Sequence, residues 1–72
     1  MKKTKKIKII LNGKLRSLQK STSVYDLMRS LKLSIDKVAI EVNKEIINKK
    51  TIKDIYLKNK DKVEIVHFIG GG

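Results

Sequence analysis

Three consecutive glycines, Gly70, Gly71 and Gly72, end the sequence directly after the run Val63-Glu64-Ile65-Val66-His67-Phe68-Ile69. Gly13 is the only other glycine and there is no proline, so loop composition does not account for them. Glycine lacks a Cβ, which makes such a segment narrow, opens φ values closed to other residues, and lets a partner's backbone approach closely. Extended, three residues reach at most about 10 Å. That is enough to carry a carboxylate out of a small domain and into a slot in another protein. The working group predicted here is the carboxylate of Gly72, with Gly70 and Gly71 as the segment that threads the partner's site. Fraying is the common state of chain ends, but it explains mobility and not glycines abutting an apolar strand. His67 is the only histidine and the chain has no cysteine. Metal binding or acid–base work would need such partners, so His67 reads as a strand residue near an interface. No Ser, His and Asp arrangement or paired acids can be assembled, and Asn12-Gly13 is a turn, not a phosphate loop. The chain does not read as an enzyme.

Composition bounds the setting for that tail. A chain of 72 residues makes one domain, and a domain of this size buries only about 60% of its unfolded surface. It has room for one modest core and no deep pocket. Without cysteine there is no disulfide framework and no thiolate site. No apolar run approaches a membrane span, and Ile7-Lys8-Ile9 alternates charge with apolar residues where a signal peptide would open an apolar block. The expectation is a cytoplasmic monomer. A net charge of +11 raises a nucleic-acid-binding module as a rival, because a basic surface attracts polyanions. Against it, only Arg16 and Arg29 of the 18 basic residues are arginine, the residue suited to bidentate contacts. Tyr25, Tyr56 and Phe68 are too scattered for a stacking platform. The lysines read as a solvated surface, and the block at residues 1–6 as a disordered arm of repelling charges.

The elements that must position the tail follow from periodicity. Ile7, Ile9 and Leu11 alternate with Lys6, Lys8 and Ile10, the pattern of a strand. Asn12-Gly13 signals a hairpin into a second strand over Lys14 to Gln19. A glycine bulge there, in preference to a strict two-residue turn, would set Leu15 opposite Leu11 on the core face. Ser23 is an N-cap with Asp26 three residues on, and Val24, Leu27, Met28 and Leu31 form one apolar helical stripe. Val38, Ile40 and Val42 make a third strand after the connection at residues 34–37. Ile46-Ile47 suggests a short strand, and Thr51 with Asp54 a capped helical turn carrying Ile52, Ile55 and Tyr56. In the turn Asn59-Lys60-Asp61, Asn59 or Asp61 is expected to be left-handed. The last strand, residues 62–69, is apolar on both faces at several points, as an inner strand paired with the first would be. The predicted class is α+β: a mixed sheet in residues 7–69 with one main helix packed across it, and a flexible tail at residues 70–72.

These residues carry a resemblance. The segments Ser21-Thr22-Ser23-Val24-Tyr25-Asp26-Leu27-Met28, Ala39-Ile40-Glu41-Val42-Asn43-Lys44-Glu45-Ile46-Ile47 and above all Asp61-Lys62-Val63-Glu64-Ile65-Val66-His67-Phe68-Ile69-Gly70-Gly71-Gly72 resemble the ubiquitin-like β-grasp sulfur carriers, most of all those of thiamine thiazole biosynthesis. The resemblance spans residues 7–72. Asn48 departs from it by standing where a proline is common, and the turn before the last strand lacks the usual glycine. What the resemblance implies is a β-grasp fold and a protein cosubstrate. A partner adenylating enzyme, using ATP and magnesium, converts the Gly72 carboxylate to an acyl-adenylate. A sulfur donor protein turns it into a thiocarboxylate, and a thiazole synthase receives the sulfur. No cofactor or metal is bound by this chain on that reading. Docking falls to His67, Phe68 and Ile69, since buried aromatic and aliphatic anchors dominate interfaces. A related carrier for molybdopterin or amino-acid sulfur is the alternative within the family, because a diglycine end is shared across it.

Overall fold

The computed structural model describes residues 5–67. Five strands form one mixed sheet in the order β2-β1-β5-β3-β4. They are β1 (Lys6–Leu11), β2 (Lys14–Gln19), β3 (Val38–Val42), β4 (Glu45–Ile46) and β5 (Lys62–His67), and a single α-helix, α1 (Val24–Leu31), lies between β2 and β3 in sequence. β1 begins at Lys6, so that lysine follows the strand alternation and belongs to the sheet, not to the basic arm at residues 1–6.

The hairpin β1–β2 corrects the expected bulge. Leu11 pairs with Lys14 and Ile10 with Leu15, and both turn residues have positive φ, 48° at Asn12 and 83° at Gly13. This pair of values belongs to a two-residue type I′ turn, whose twist matches that of the flanking strands. Leu15 therefore lies on the face away from the core, 73% exposed.

α1 forms where its cap and stripe agree. The Ser23 side chain accepts from Asp26 N at 3.0 Å, and Ser23 N donates to the Asp26 carboxylate at 3.2 Å, a reciprocal capping box. Lys32 ends the helix in the left-handed region, and Leu33 N donates to Met28 O. Val24, Leu27 and Met28 are buried against one face of the sheet with Ile9, Val38, Ile40 and Val63. Each such side chain contributes about 1.5–3 kcal/mol through burial. The start of α1 is tied to the segment before β5, with Val24 N donating to Ile55 O at 2.8 Å and Leu57 N to Thr22 O at 2.9 Å.

Two local expectations are revised. The helical turn is a 3-10 segment, Lys49–Asp54, capped by Asn48, whose side chain accepts from Lys50 N. Thr51 instead sits inside it and donates from its hydroxyl to Asn48 O. Of the apolar residues assigned to this turn, Ile52 is buried and Tyr56 is exposed. In the last turn the left-handed residue is Lys60, φ 74°. Its neighbours are held by side-chain bonds, Asn59 accepting from Lys8 N and Asp61 from Lys58 N.

Candidate functional site: the C-terminal strand and its edges

β5 is the strand that leads to the glycines, and it lies in the middle of the sheet, parallel to β1 and antiparallel to β3. Strand side chains alternate between faces. Val63 and Ile65 point under α1 and are buried, while Lys62, Glu64 and Val66 point to the open face. The expectation of apolar cover on both faces is thus corrected: Val66 is 57% exposed. A central position does not require two covered faces when the sheet is mixed and one side meets water.

The strand is gripped along its edges. On the β3 side, Asn43 N donates to Lys62 O at 2.7 Å, the Asn43 side-chain oxygen accepts from Lys62 N at 2.9 Å, and its amide nitrogen donates to the Asp61 carboxylate at 3.0 Å. On the β1 side, Asn12 N donates to Val63 O at 2.9 Å, and the Asn12 carboxamide meets both backbone groups of Ile65. At the far end His67 pairs with Val38. The half-buried Lys49 donates to Val38 O at 2.9 Å and to Ile35 O at 3.1 Å, at the start of β3 where Val38 pairs with His67.

Of the expected site residues, His67 is the last residue of β5 and is exposed. Phe68, Ile69, Gly70, Gly71 and Gly72 lie outside the described residues. Among the described residues no group of His, Cys, Asp and Glu could hold a metal ion, and no helix is long and apolar enough to cross a membrane. Sequence reasoning missed the reach of Asn12, Asn43 and Lys49 onto the ends of β5 and β3. The turn signals at Asn12-Gly13 and Asn43-Lys44 marked two of these positions, but nothing local showed where their side chains would go.

The open face beside β5 was missed as well. Val66 pairs with Ala39, Glu64 with Glu41, and Glu41 in turn with Ile46, which is 76% exposed. Apolar surface and two opposed carboxylates therefore share the open face of the β5-β3-β4 half of the sheet.

A mixed five-stranded sheet with its first and last strands paired in parallel at the centre and one helix laid across a single face is the β-grasp fold of ubiquitin-like proteins. The family model described as "ThiS family" matches residues 9–72, and the chain belongs to the ThiS family. It is 44% identical over 63 residues to the sulfur carrier protein ThiS of Bacillus subtilis, covering 86% of this chain and 96% of that protein. It is also 38% identical over 66 residues to a thiazole synthase of Magnetococcus marinus, where the match covers 92% of this chain but spans only 20% of that protein's length. The crystal structure of the thiamine biosynthesis protein ThiS from Geobacter metallireducens superposes with a TM-score of 0.80 at 29% identity, covering 92% of this chain and all of that one.

Proposed function

We propose that this chain is a sulfur carrier for the thiazole moiety of thiamine and that its working group is the Gly72 carboxylate. A carboxylate is a poor acyl donor at neutral pH. A ThiF-like adenylating enzyme, with ATP and magnesium, transfers AMP to it and releases pyrophosphate, giving an acyl-adenylate. The terminal sulfur of a donor protein's persulfide attacks the acyl carbon and AMP leaves. A thiol then cleaves the resulting acyl disulfide, releasing the thiocarboxylate and leaving a disulfide behind. A ThiG-like thiazole synthase takes the sulfur for its substrate, and an oxygen from that substrate or from water replaces it on the acyl carbon, which restores the carboxylate. The chain supplies the carboxylate, the glycines that thread the active site, and a docking surface around His67, Phe68 and Ile69. It acts as a cosubstrate in the cytoplasm and catalyses no step.

The observation that carries this reading is the identity to the Bacillus subtilis carrier over nearly that protein's whole length, on a fold whose central strand runs toward Gly72. The thiazole synthase relative supports the recipient, because a stretch like this chain is part of that same polypeptide. The test is the intact mass of the chain after incubation with adenylating enzyme, ATP and a sulfur source. The expected gain equals the exchange of one oxygen for sulfur, and deletion of Gly72 abolishes it while the circular dichroism spectrum and melting temperature stay unchanged. A mass gain that survives the deletion would overturn the assignment.

A further inference from the structure

Asn12 stands where the sheet would otherwise be left open. β1 pairs with β5 only at Ile10 opposite Lys62 and Leu11 opposite Val63, and the chain then turns away into the hairpin. β5 runs on to His67. On the side that β1 has vacated, the next backbone groups to be satisfied are those of Ile65. The Asn12 side chain meets both of them: its oxygen accepts from Ile65 N at 2.8 Å and its amide nitrogen donates to Ile65 O at 3.4 Å. One carboxamide thus supplies the donor and the acceptor that another strand residue would have provided.

The position is demanding. The backbone at Asn12 has φ 48°, a region that asparagine tolerates better than most residues. The side chain must also be short and carry a donor and an acceptor together. Glycine keeps the turn and loses the clamp. Aspartate keeps the acceptor but turns an oxygen toward Ile65 O.

We propose that Asn12 is a positioning residue for the C-terminal strand, its carboxamide fixing Ile65 and thereby the line along which the chain leaves the domain toward Gly72. This rests on the sulfur-carrier reading above. The two bonds are the last that the described residues show on the β1-side edge of β5, which runs only two residues further, to His67. A misplacement of about 1 Å at a reacting group can cost about a hundredfold in rate. Asn43 offers the internal comparison. It too is left-handed, φ 53°, and grips β5, but at Lys62, where the strand begins.

The test compares the whole chain with its Asn12→Gly and Asn43→Gly variants. Three readouts are taken: hydrogen exchange at the Ile65 amide, thermal stability, and steady-state kinetics of each chain as substrate of the adenylating enzyme at a temperature where all are folded. With Asn12→Gly, Ile65 should exchange about tenfold faster, since one hydrogen bond is worth about a factor of ten. For the same variant, kcat should fall about tenfold with KM changed less than about twofold, the pattern of lost orientation with docking kept. Asn43→Gly should lower the melting temperature comparably and leave kcat alone.

The proposal is overturned if Asn12→Gly keeps the wild-type kcat, or if Asn43→Gly lowers kcat equally. A wild-type chain that is not adenylated by an enzyme active on the Bacillus subtilis carrier refutes the sulfur-carrier reading instead. Exchange at Ile65, measured on the chain alone, then decides: faster exchange in Asn12→Gly supports the clamp and unchanged exchange overturns it.

Discussion

The two faces of the sheet obey different rules. Under α1, Ile9, Val38 and Val63 are completely buried and the helix meets them with Val24, Leu27 and Met28. On the opposite face, Leu15, Ile46 and Val66 are among the most exposed large apolar residues of the described chain, and Glu41 faces Glu64 across paired strands. Like charges directly opposite destabilise a sheet, and exposed apolar residues beside them add nothing to folding. The covered face is therefore built for stability. The open face next to β5 carries features that folding does not ask for, and their place beside the strand that bears the tail suits a surface that another protein covers.

That contrast can be broken or sharpened by substitution. On the covered face, Leu27→Ala should cost about 2–5 kcal/mol, because a fully buried aliphatic is removed and the site collapses only partly. A melt showing less than about 1 kcal/mol would mean that α1 is not the main cover of the sheet. At the margin of that face, Ser23→Ala removes one arm of the capping box and should cost about 1 kcal/mol, read by the same denaturation. On the open face, Glu41→Lys replaces a repulsion with an attraction across the strands and should raise stability by about 0.2–1 kcal/mol. If that face is a docking surface, the same variant should weaken binding to the adenylating enzyme measured by calorimetry. Stabilisation with unchanged affinity would instead make the opposed glutamates mere surface charge.

Legibility followed locality. The strand Lys6–Leu11, the stripe and cap of α1 and the alternation of Val38–Val42 could be read because each depends on residues within a few positions of one another. The hairpin register could not, since an Asn-Gly pair serves both turn types, and the choice showed only once Ile10 stood opposite Leu15. The 3-10 segment was displaced to an Asn48 cap for a similar reason, as Thr51 and Asn48 are both competent side-chain acceptors and the local pattern does not rank them. The glycines drew attention through composition alone, whereas nothing local to Asn12 showed that its carboxamide would reach Ile65.

By itself, the sequence determined that the chain holds one small core, that a helix caps at Ser23, that a last apolar run is followed by three glycines, and that it contains no cysteine and a single histidine. These are matters of composition and short-range periodicity, carried by the side chains in whatever fold they find. Only the tertiary structure decided that β5 would lie between β1 and β3, that Leu15 and Val66 would face outward, and that the carboxamide of Asn12 would close on Ile65, 53 residues away in sequence. Hydrogen bonds of that span depend on which strands become neighbours. The choice of neighbours is made when Val24, Leu27 and Met28 of α1 are buried against one face of the sheet, and no local window of residues contains it.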